Sequence, residues 1–258
     1  MQGNRERLRV KAIAARTLMA LSLWLGVAAP AYSDELYLSA ASSLKEVVTE
    51  LMTSYALEHG PQKFVASFGA SGILAKQIEN GAPADLFIAA NAEWISCLTK
   101  NGRLSHQLIP MAYNSLVFAG KAELGVSRLA DITRLSRIAI GSPRSVPAGE
   151  YALAALKKAG LMPALENKLV LAKDARECLM YAERGEVDGA LVYRTDALLL
   201  GKRTQILFMV EPEFHERIGY PLALTKTGAG KREALDFFGY LQSPAAKFIL
   251  TRYGFAVP

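Results

Sequence analysis

The sequence predicts an α/β fold in two lobes, each a mainly parallel sheet flanked by helices. Strand-like apolar runs alternate with helix-like periodic segments along nearly the whole chain, and that alternation is the signature of parallel strands joined by crossover helices. Helix-ending glycines recur at Gly102, Gly160 and Gly185, so the helices are short and separately bounded. Two stretches without periodicity, 103–114 and 211–219, each precede a strand-like run. They read as two crossings between lobes, which makes the first lobe discontinuous.

The N-terminus stands apart. Arg5, Arg7, Arg9, Lys11 and Arg16 precede the apolar run Thr17 to Ala28, and Ala31-Tyr32-Ser33 follows. A basic region, a short apolar stretch and small residues at the processing positions predict a secretory leader over 1–33, cleaved after Ser33. The run is short for a bilayer span, and no cysteine follows it for a lipid anchor. The expected organisation is therefore a leader, a first lobe of 34–112 with 213–258, and a second lobe of 113–212. The expected location is periplasmic.

The first mature strand is Leu36 to Ala40. Leu44, Val47, Val48, Leu51, Met52 and Tyr55 then trace one apolar helix face, stopped at Gly60-Pro61. Phe64 to Phe68 reads as strand. Ile73, Leu74, Gln77 and Ile78 open a second helix, stopped at Gly81 and Pro83. Leu86 to Ala90 is a buried strand and Ala92 to Lys100 a helix. Later strands are expected at 115–119, 137–141, 168–171, 189–193, 205–210 and 221–225. Ser243-Pro244 starts a last helix over 245–253, with a capping serine followed by a first-turn proline.

Composition excludes several function classes. The net charge is +6, but the leader holds five of the 30 basic residues and one of the 24 acidic ones. The mature chain is left with 25 against 23, which is no nucleic-acid footprint. Cys97 and Cys178 form no CxxC, and His59, His106 and His215 lack ligand spacing, so neither a zinc site nor a cofactor is expected. Each cysteine reads as a small buried hydrophobe in its own helix. GASGI at Gly69–Ile73 approaches a nucleophile elbow but ends in isoleucine, and no histidine has a triad context. A secreted serine hydrolase is a remote alternative, and no enzyme is expected.

Four helix entries share a chemistry. Ser42-Ser43 precedes the first helix, Ala70-Ser71-Gly72 the second, Val146-Pro147-Ala148-Gly149 the segment EYALAALKKAG, and Lys173-Asp174-Ala175 the segment RECLMYAERG. Each start carries about half a positive charge on unpaired N–H groups. Four converging starts would offer about two positive charges without a lysine or arginine. Tyr193 closes the strand GALVY, where a phenol would stand at the sheet's carboxyl edge. Hydroxyl and N–H donors alone suit a small, fully ionised dianion, whereas a protonated anion would want an acceptor. Each residue also has a local reading. Serine before a helix caps it, Gly72 serves loop geometry, Asp174 is an N-cap, Tyr193 packs, and Arg144 and Arg176 point to solvent.

The stretches AASSLKEV (Ala40–Val47), FGASGILAKQIENGAPADLFIAA (Phe68–Ala90), GSPRSVPAGEYALAAL (Gly141–Leu156), AKDARECLMYAERGEVDGALVYRTDA (Ala172–Ala197), YPLAL (Tyr220–Leu224) and RYGF (Arg252–Phe255) carry a family likeness. In that order they resemble the periplasmic molybdate-binding proteins of ABC importers, over nearly the whole mature chain. The resemblance implies a hinged two-lobed periplasmic binding fold, acting as a monomer with a membrane permease as partner. Its ligand would be molybdate or tungstate, captured between the lobes. Carried over by motif, the oxyanion contacts fall on Ser43, with Ser42 one residue away, and on Ser71, Ala148, Ala175 and Tyr193. These touch oxygens and are not direct metal ligands. Gly69 and Gly72 flank Ser71 where the family is often richer in serine, and Asn91 stands where an aspartate is common.

Sulfate or phosphate is the alternative cargo. Molybdate and tungstate are larger than sulfate, so a rigid donor cage would leave sulfate with overlong hydrogen bonds. Phosphate would need an acceptor, for which Asp174 and then Glu150 are the candidates. A disulfide between Cys97 and Cys178 would tie the lobes together, so free thiols are expected.

Overall fold

In the computed structural model, residues 35–199 and 203–258 are described. The predicted leader and its cleavage site lie outside the described residues. Two five-stranded sheets organise the rest. β1 (Leu36–Ala41), β2 (Phe64–Gly69), β3 (Leu86–Ile88), β4 (Leu104–Asn114) and β10 (Ile218–Thr225) form the first, in the order β2-β1-β3-β10-β4. β5 (Leu116–Gly120), β6 (Ile138–Gly141), β7 (Leu169–Ala172), β8 (Gly189–Tyr193) and β9 (Gln205–Met209) form the second, in the order β7-β6-β8-β5-β9.

The sheets are mixed, with the same pattern in each. β1 pairs in parallel with β2 and β3, and β6 with β7 and β8. β10 is antiparallel to β3 and β4, and β5 to β8 and β9. The antiparallel strands carry the chain between sheets: β4 runs into β5 through Ser115, and β9 returns to β10 through 210–217.

The second passage overlaps the aperiodic 211–219, but the first lies at Ser115, just past the expected crossing, because 104–114 is an eleven-residue strand and not an irregular segment. Pro110 of β4 stands opposite Pro221 of β10, and the register shifts between Tyr220 and Pro221. Two facing prolines remove ladder donors and the bulge breaks the alternation, which hides the strand from a period-2 reading.

The central strands are apolar because both faces are covered. All of β3, β5 and β8 is buried. α1 (Lys45–His59) lays Val47, Val48, Leu51 and Tyr55 into the core. It begins one residue later than its apolar pattern does, after a 3₁₀ turn over Ser42–Leu44. Further helices are α2 (Ser71–Glu79), α3 (Ala92–Lys100), α4 (Pro147–Lys158), α5 (Met162–Leu165), α6 (Ala175–Arg184), α7 (Arg194–Leu198), α8 (Arg232–Tyr240) and α9 (Pro244–Arg252). Their boundaries have local causes. Asn91, Asp174 and Ser243 cap α3, α6 and α9 through side-chain oxygens. Gly185 ends α6 with φ +73°, a left-handed turn that other residues resist.

Cys97 and Cys178 are unpaired. Cys178 is buried in α6 as expected, while Cys97 in α3 is only half-buried. Among the described residues no helix is long and apolar enough to cross a membrane, and no cluster of side chains could hold a metal ion.

Candidate functional site

The carboxyl ends of the parallel strands in both sheets meet around one small cavity. β1 ends at Ala41 and leads into Ser42-Ser43, and β2 ends at Gly69 and leads into Ser71. On the other sheet β6 leads toward α4, β7 into α6, and β8 ends at Tyr193. The lining comprises Ala41, Ser42, Ser43, Gly69, Ala70, Ser71, Ala90, Val146, Pro147, Ala148, Ala175 and Tyr193. Ser43, Ser71, Ala148, Ala175 and Tyr193, scattered over the sequence, are thus brought together, with Ser42 beside them. The cavity volume is about 10 Å³, far below the roughly 300–1,000 Å³ of pockets for organic ligands and enough for one small guest.

The lining is rich in donors and contains no ionised side chain. The Tyr193 hydroxyl is buried and has no hydrogen-bond partner among the described residues. Burial, then the neighbouring Tyr220, raises its pKa well above the ordinary phenol value, so the proton stays on as a donor. A buried phenol without a partner is costly unless a ligand supplies one. α4 starts at Pro147 with no side-chain cap, leaving the first-turn N–H of Ala148 without a helical acceptor. In α6 the Asp174 carboxylate accepts from Glu177 N at 2.9 Å. Asp174 is therefore the N-cap expected as its local reading, and the first-turn N–H of Ala175 has no helical acceptor.

The hydroxyls of Ser43 and Ser71 have defined partners. Ser71 Oγ accepts from Ala90 N at 3.0 Å, and Ser43 Oγ lies 3.0 Å from Tyr220 Oη. No histidine is among the described residues that line the cavity, so the elbow-like GASGI gains no support from a general base beside Ser71.

Packing around the cavity rests on close approaches. A Cβ on Gly149 would stand 1.8 Å from the Gly141 carbonyl oxygen, so the start of α4 can sit on the end of β6 only as glycine. Gly72 is helical, not a loop former. Its N–H donates to Ser145 O at 3.0 Å across the two sheets, which removes it from the pool of donors the sequence offered near Ser71.

Further contacts join the sheets. Arg176, expected to point to solvent, pairs with Glu46 of α1, and its Nε lies 2.8 Å from Asp196 Oδ1. Its charge is matched by two carboxylates. Arg144 is exposed, as read. Asn91 Nδ2 donates to Glu150 Oε2 at 2.5 Å. Burial, then repulsion from Glu93, raises the Glu150 pKa, with Asn91 among the groups opposing. An aspartate at 91 would set a second charge against that carboxylate. Sequence reasoning missed the supporting roles of Tyr220, Asn114, Glu46 and Asp196. Of these, Tyr220, Glu46 and Asp196 lie in the stretches that carry the family likeness, and Asn114 lies in none. A larger open groove runs past Glu93, Glu150 and Glu216, and three carboxylates there disfavour an anion.

Comparison with known proteins places the whole described chain. Residues 36–256 match the model of a family described as bacterial extracellular solute-binding protein. The molybdate-binding protein ModA of Escherichia coli is 33% identical over 247 residues, covering 92% of this chain and 95% of the relative. The Bacillus subtilis protein YvgL, provisionally named an ABC transporter substrate-binding lipoprotein, is 34% identical over 223 residues, covering 85% of each. A Clostridium difficile structure, provisionally described as the substrate-binding domain of a molybdenum ABC transporter, superposes with a TM-score of 0.69 at 33% identity. That match covers 87% of this chain and 99% of the other.

Proposed function

This chain belongs to the bacterial extracellular solute-binding proteins, and on that footing we propose that it captures molybdate, and tungstate with it, for delivery to an ABC permease. The observation that carries the cargo is the buried Tyr193 hydroxyl, unpartnered among the described residues, on a cavity lined by three serines and the starts of α4 and α6, with no ionised side chain among the described lining residues. Such a cage stabilises a dianion through dipoles and hydroxyls. It offers no carboxylate acceptor to a protonated anion, since neither Asp174 nor Glu150 is among the described residues lining it. The names of the relatives favour molybdate among the dianions. Ser43, Ser71, Ala148, Ala175 and Tyr193 are the proposed contacts.

Each sheet with its helices acts as a lobe in this reading, residues 34–112 with 213–258 against 113–212, hinged at the two passages. Donors come from both lobes, so the ion binds the closed form better than the open one, and that difference drives closure. The closed receptor, a periplasmic monomer, then presents its surface to the permease. No chemistry is performed on the cargo.

Calorimetric titration of the protein lacking residues 1–33 with molybdate, tungstate, sulfate and phosphate tests this. Tight binding of the first two and weak or absent binding of the others is expected. Preference for sulfate or phosphate would replace the cargo, and indifference to all four would end the proposal.

A further inference from the structure

Two side chains outside the cavity join the halves of the cage. Asn91 precedes α3 beside one sheet, and Glu150 stands in the first turn of α4 beside the other. Asn91 Nδ2 donates to Glu150 Oε2 at 2.5 Å, and Asn91 Oδ1 caps α3 by accepting from Trp94 N at 3.5 Å. An ionised carboxylate can only accept, which fits the amide nitrogen facing Glu150 and the oxygen facing the helix.

The bond lies close to proposed contacts on both sides. Ala90 N, next to Asn91 in the chain, donates to Ser71 Oγ at 3.0 Å. Ala148 shares the first turn of α4 with Glu150. The backbone beside Ser71 is thus tied to the backbone beside Ala148. Neither Asn91 nor Glu150 is among the described residues that line the cavity.

Closure has a cost at this place. With the lobes apart both side chains would stand in water. With them together Asn91 is buried and Glu150 half-buried, and Glu93 of α3 adds its repulsion. Glu216 and Arg217 of the return passage line the same groove, where Arg217 is stacked over the Tyr113 ring. Closure therefore moves a carboxylate out of water toward like charge, a step that a hydrogen-bond donor offsets.

From this placement we infer that Asn91 is an affinity-determining positioning residue: by donating to Glu150 across the lobes it permits closure over a cargo that it does not touch. The inference rests on the hinged oxyanion reading above and adds to it a pair of residues outside the cage.

Asn91→Asp tests it. Aspartate keeps the size and the helix cap, but it replaces the donor with an acceptor and sets a charge against Glu150. Molybdate is titrated into wild-type protein, Asn91→Asp, Glu150→Gln and the double variant, and association and dissociation are followed by stopped-flow. Asn91→Asp should weaken binding about tenfold to a hundredfold, through faster dissociation. In the Glu150→Gln background the same substitution should cost about threefold or less, because the bond re-forms with donor and acceptor exchanged.

An equal loss in both backgrounds marks a role in α3 alone and overturns the inference. Unchanged binding in Asn91→Asp, or a loss carried by slower association, overturns it too. If Asn91→Asp fails to fold, Asn91→Ser replaces it, since serine caps the helix with a side chain too short to reach Glu150. Its loss should be larger with Glu150 present than with Glu150→Gln, and equality would again overturn the inference. If wild-type protein ignores molybdate but binds tungstate, sulfate or phosphate, the molybdate assignment fails and the same proteins are compared with that anion, because the readout is closure. Binding of none of the four defeats the cargo assignment and the inference together.

Discussion

Gly72 and Ser145 stand on opposite sheets, and the N–H of the one donates to the carbonyl oxygen of the other at 3.0 Å. A Cβ on Gly72 would lie 2.9 Å from Ser145 Cα and 2.5 Å from the Trp94 ring. The ring belongs to α3, which flanks the same sheet, and can shift, whereas in the proposed hinge motion the Ser145 backbone approaches only as the lobes close. Gly72→Ala should therefore oppose closure more than folding. Overpacking of this kind costs roughly 1–3 kcal/mol, so molybdate affinity should fall about tenfold or more with little change in the melting temperature of the ligand-free protein. Small-angle scattering at saturating molybdate checks the cause, and full compaction of the variant would contradict it.

Tyr193→Phe separates function from stability. The wild-type hydroxyl is buried without a partner, so its removal should leave the ligand-free protein as stable as before or slightly more so. Binding should suffer, because a hydrogen bond to a charged group is worth about 1.5–3 kcal/mol, or about ten- to a hundredfold in Kd. Calorimetry and thermal melting of the same preparation read both quantities. A variant that melts lower and binds normally would assign the phenol to packing.

Arg176 is adjacent in sequence to the proposed contact Ala175, yet it is engaged by Glu46 and Asp196. If neutral donors hold the ion, the whole charged group is dispensable for recognition. The triple variant Glu46→Gln, Arg176→Met, Asp196→Asn leaves no unpaired charge. It should retain molybdate binding to within about tenfold, since none of the three is among the described residues lining the cavity. Complete loss of binding in a folded triple variant would make the guanidinium a ligand.

The architecture was legible because its signals are local. Alternating apolar runs and bounded helices report on α/β order, and Asn91, Asp174 and Ser243 sit at the helix starts they cap. The proposed contacts were legible through helix-start chemistry and motif order, and the cavity does gather them. What stayed hidden is long-range. Tyr220 meets Ser43 across 177 residues and Arg176 meets Glu46 across 130, and no periodicity encodes such a pairing. Gly72 looked like a loop glycine because a flexible turn and a close backbone approach leave the same letter in the sequence.

The two thiols should differ in reactivity. Burial, then the nearby carboxylate of Asp174, raises the Cys178 pKa far above the ordinary thiol value, so little thiolate exists there at neutral pH. Cys97 is half-buried on α3. A thiol reagent applied to native, unreduced protein should label Cys97 and leave Cys178 until denaturant is added, when both react. Finding no thiol after denaturation would mean a disulfide.

Asp196 gives stability a pH dependence of definite sign. Burial, opposed by Arg176, raises its pKa from the ordinary 3.8 to about 7. Between those values the folded protein holds a proton that the unfolded chain has released, so stability falls as pH rises through that window and is level above it. The part lying between pH 5 and 7 is about two pKa units, or about 2–3 kcal/mol at most. Glu150 is shifted the same way, so the wild-type profile alone does not isolate Asp196, and the comparison with Asp196→Asn does. Denaturant unfolding at pH 5 and pH 8 should show wild-type protein losing more stability than the variant over that interval. If wild-type protein instead gains on the variant as pH rises, Arg176 outweighs burial and Asp196 is ionised throughout the range.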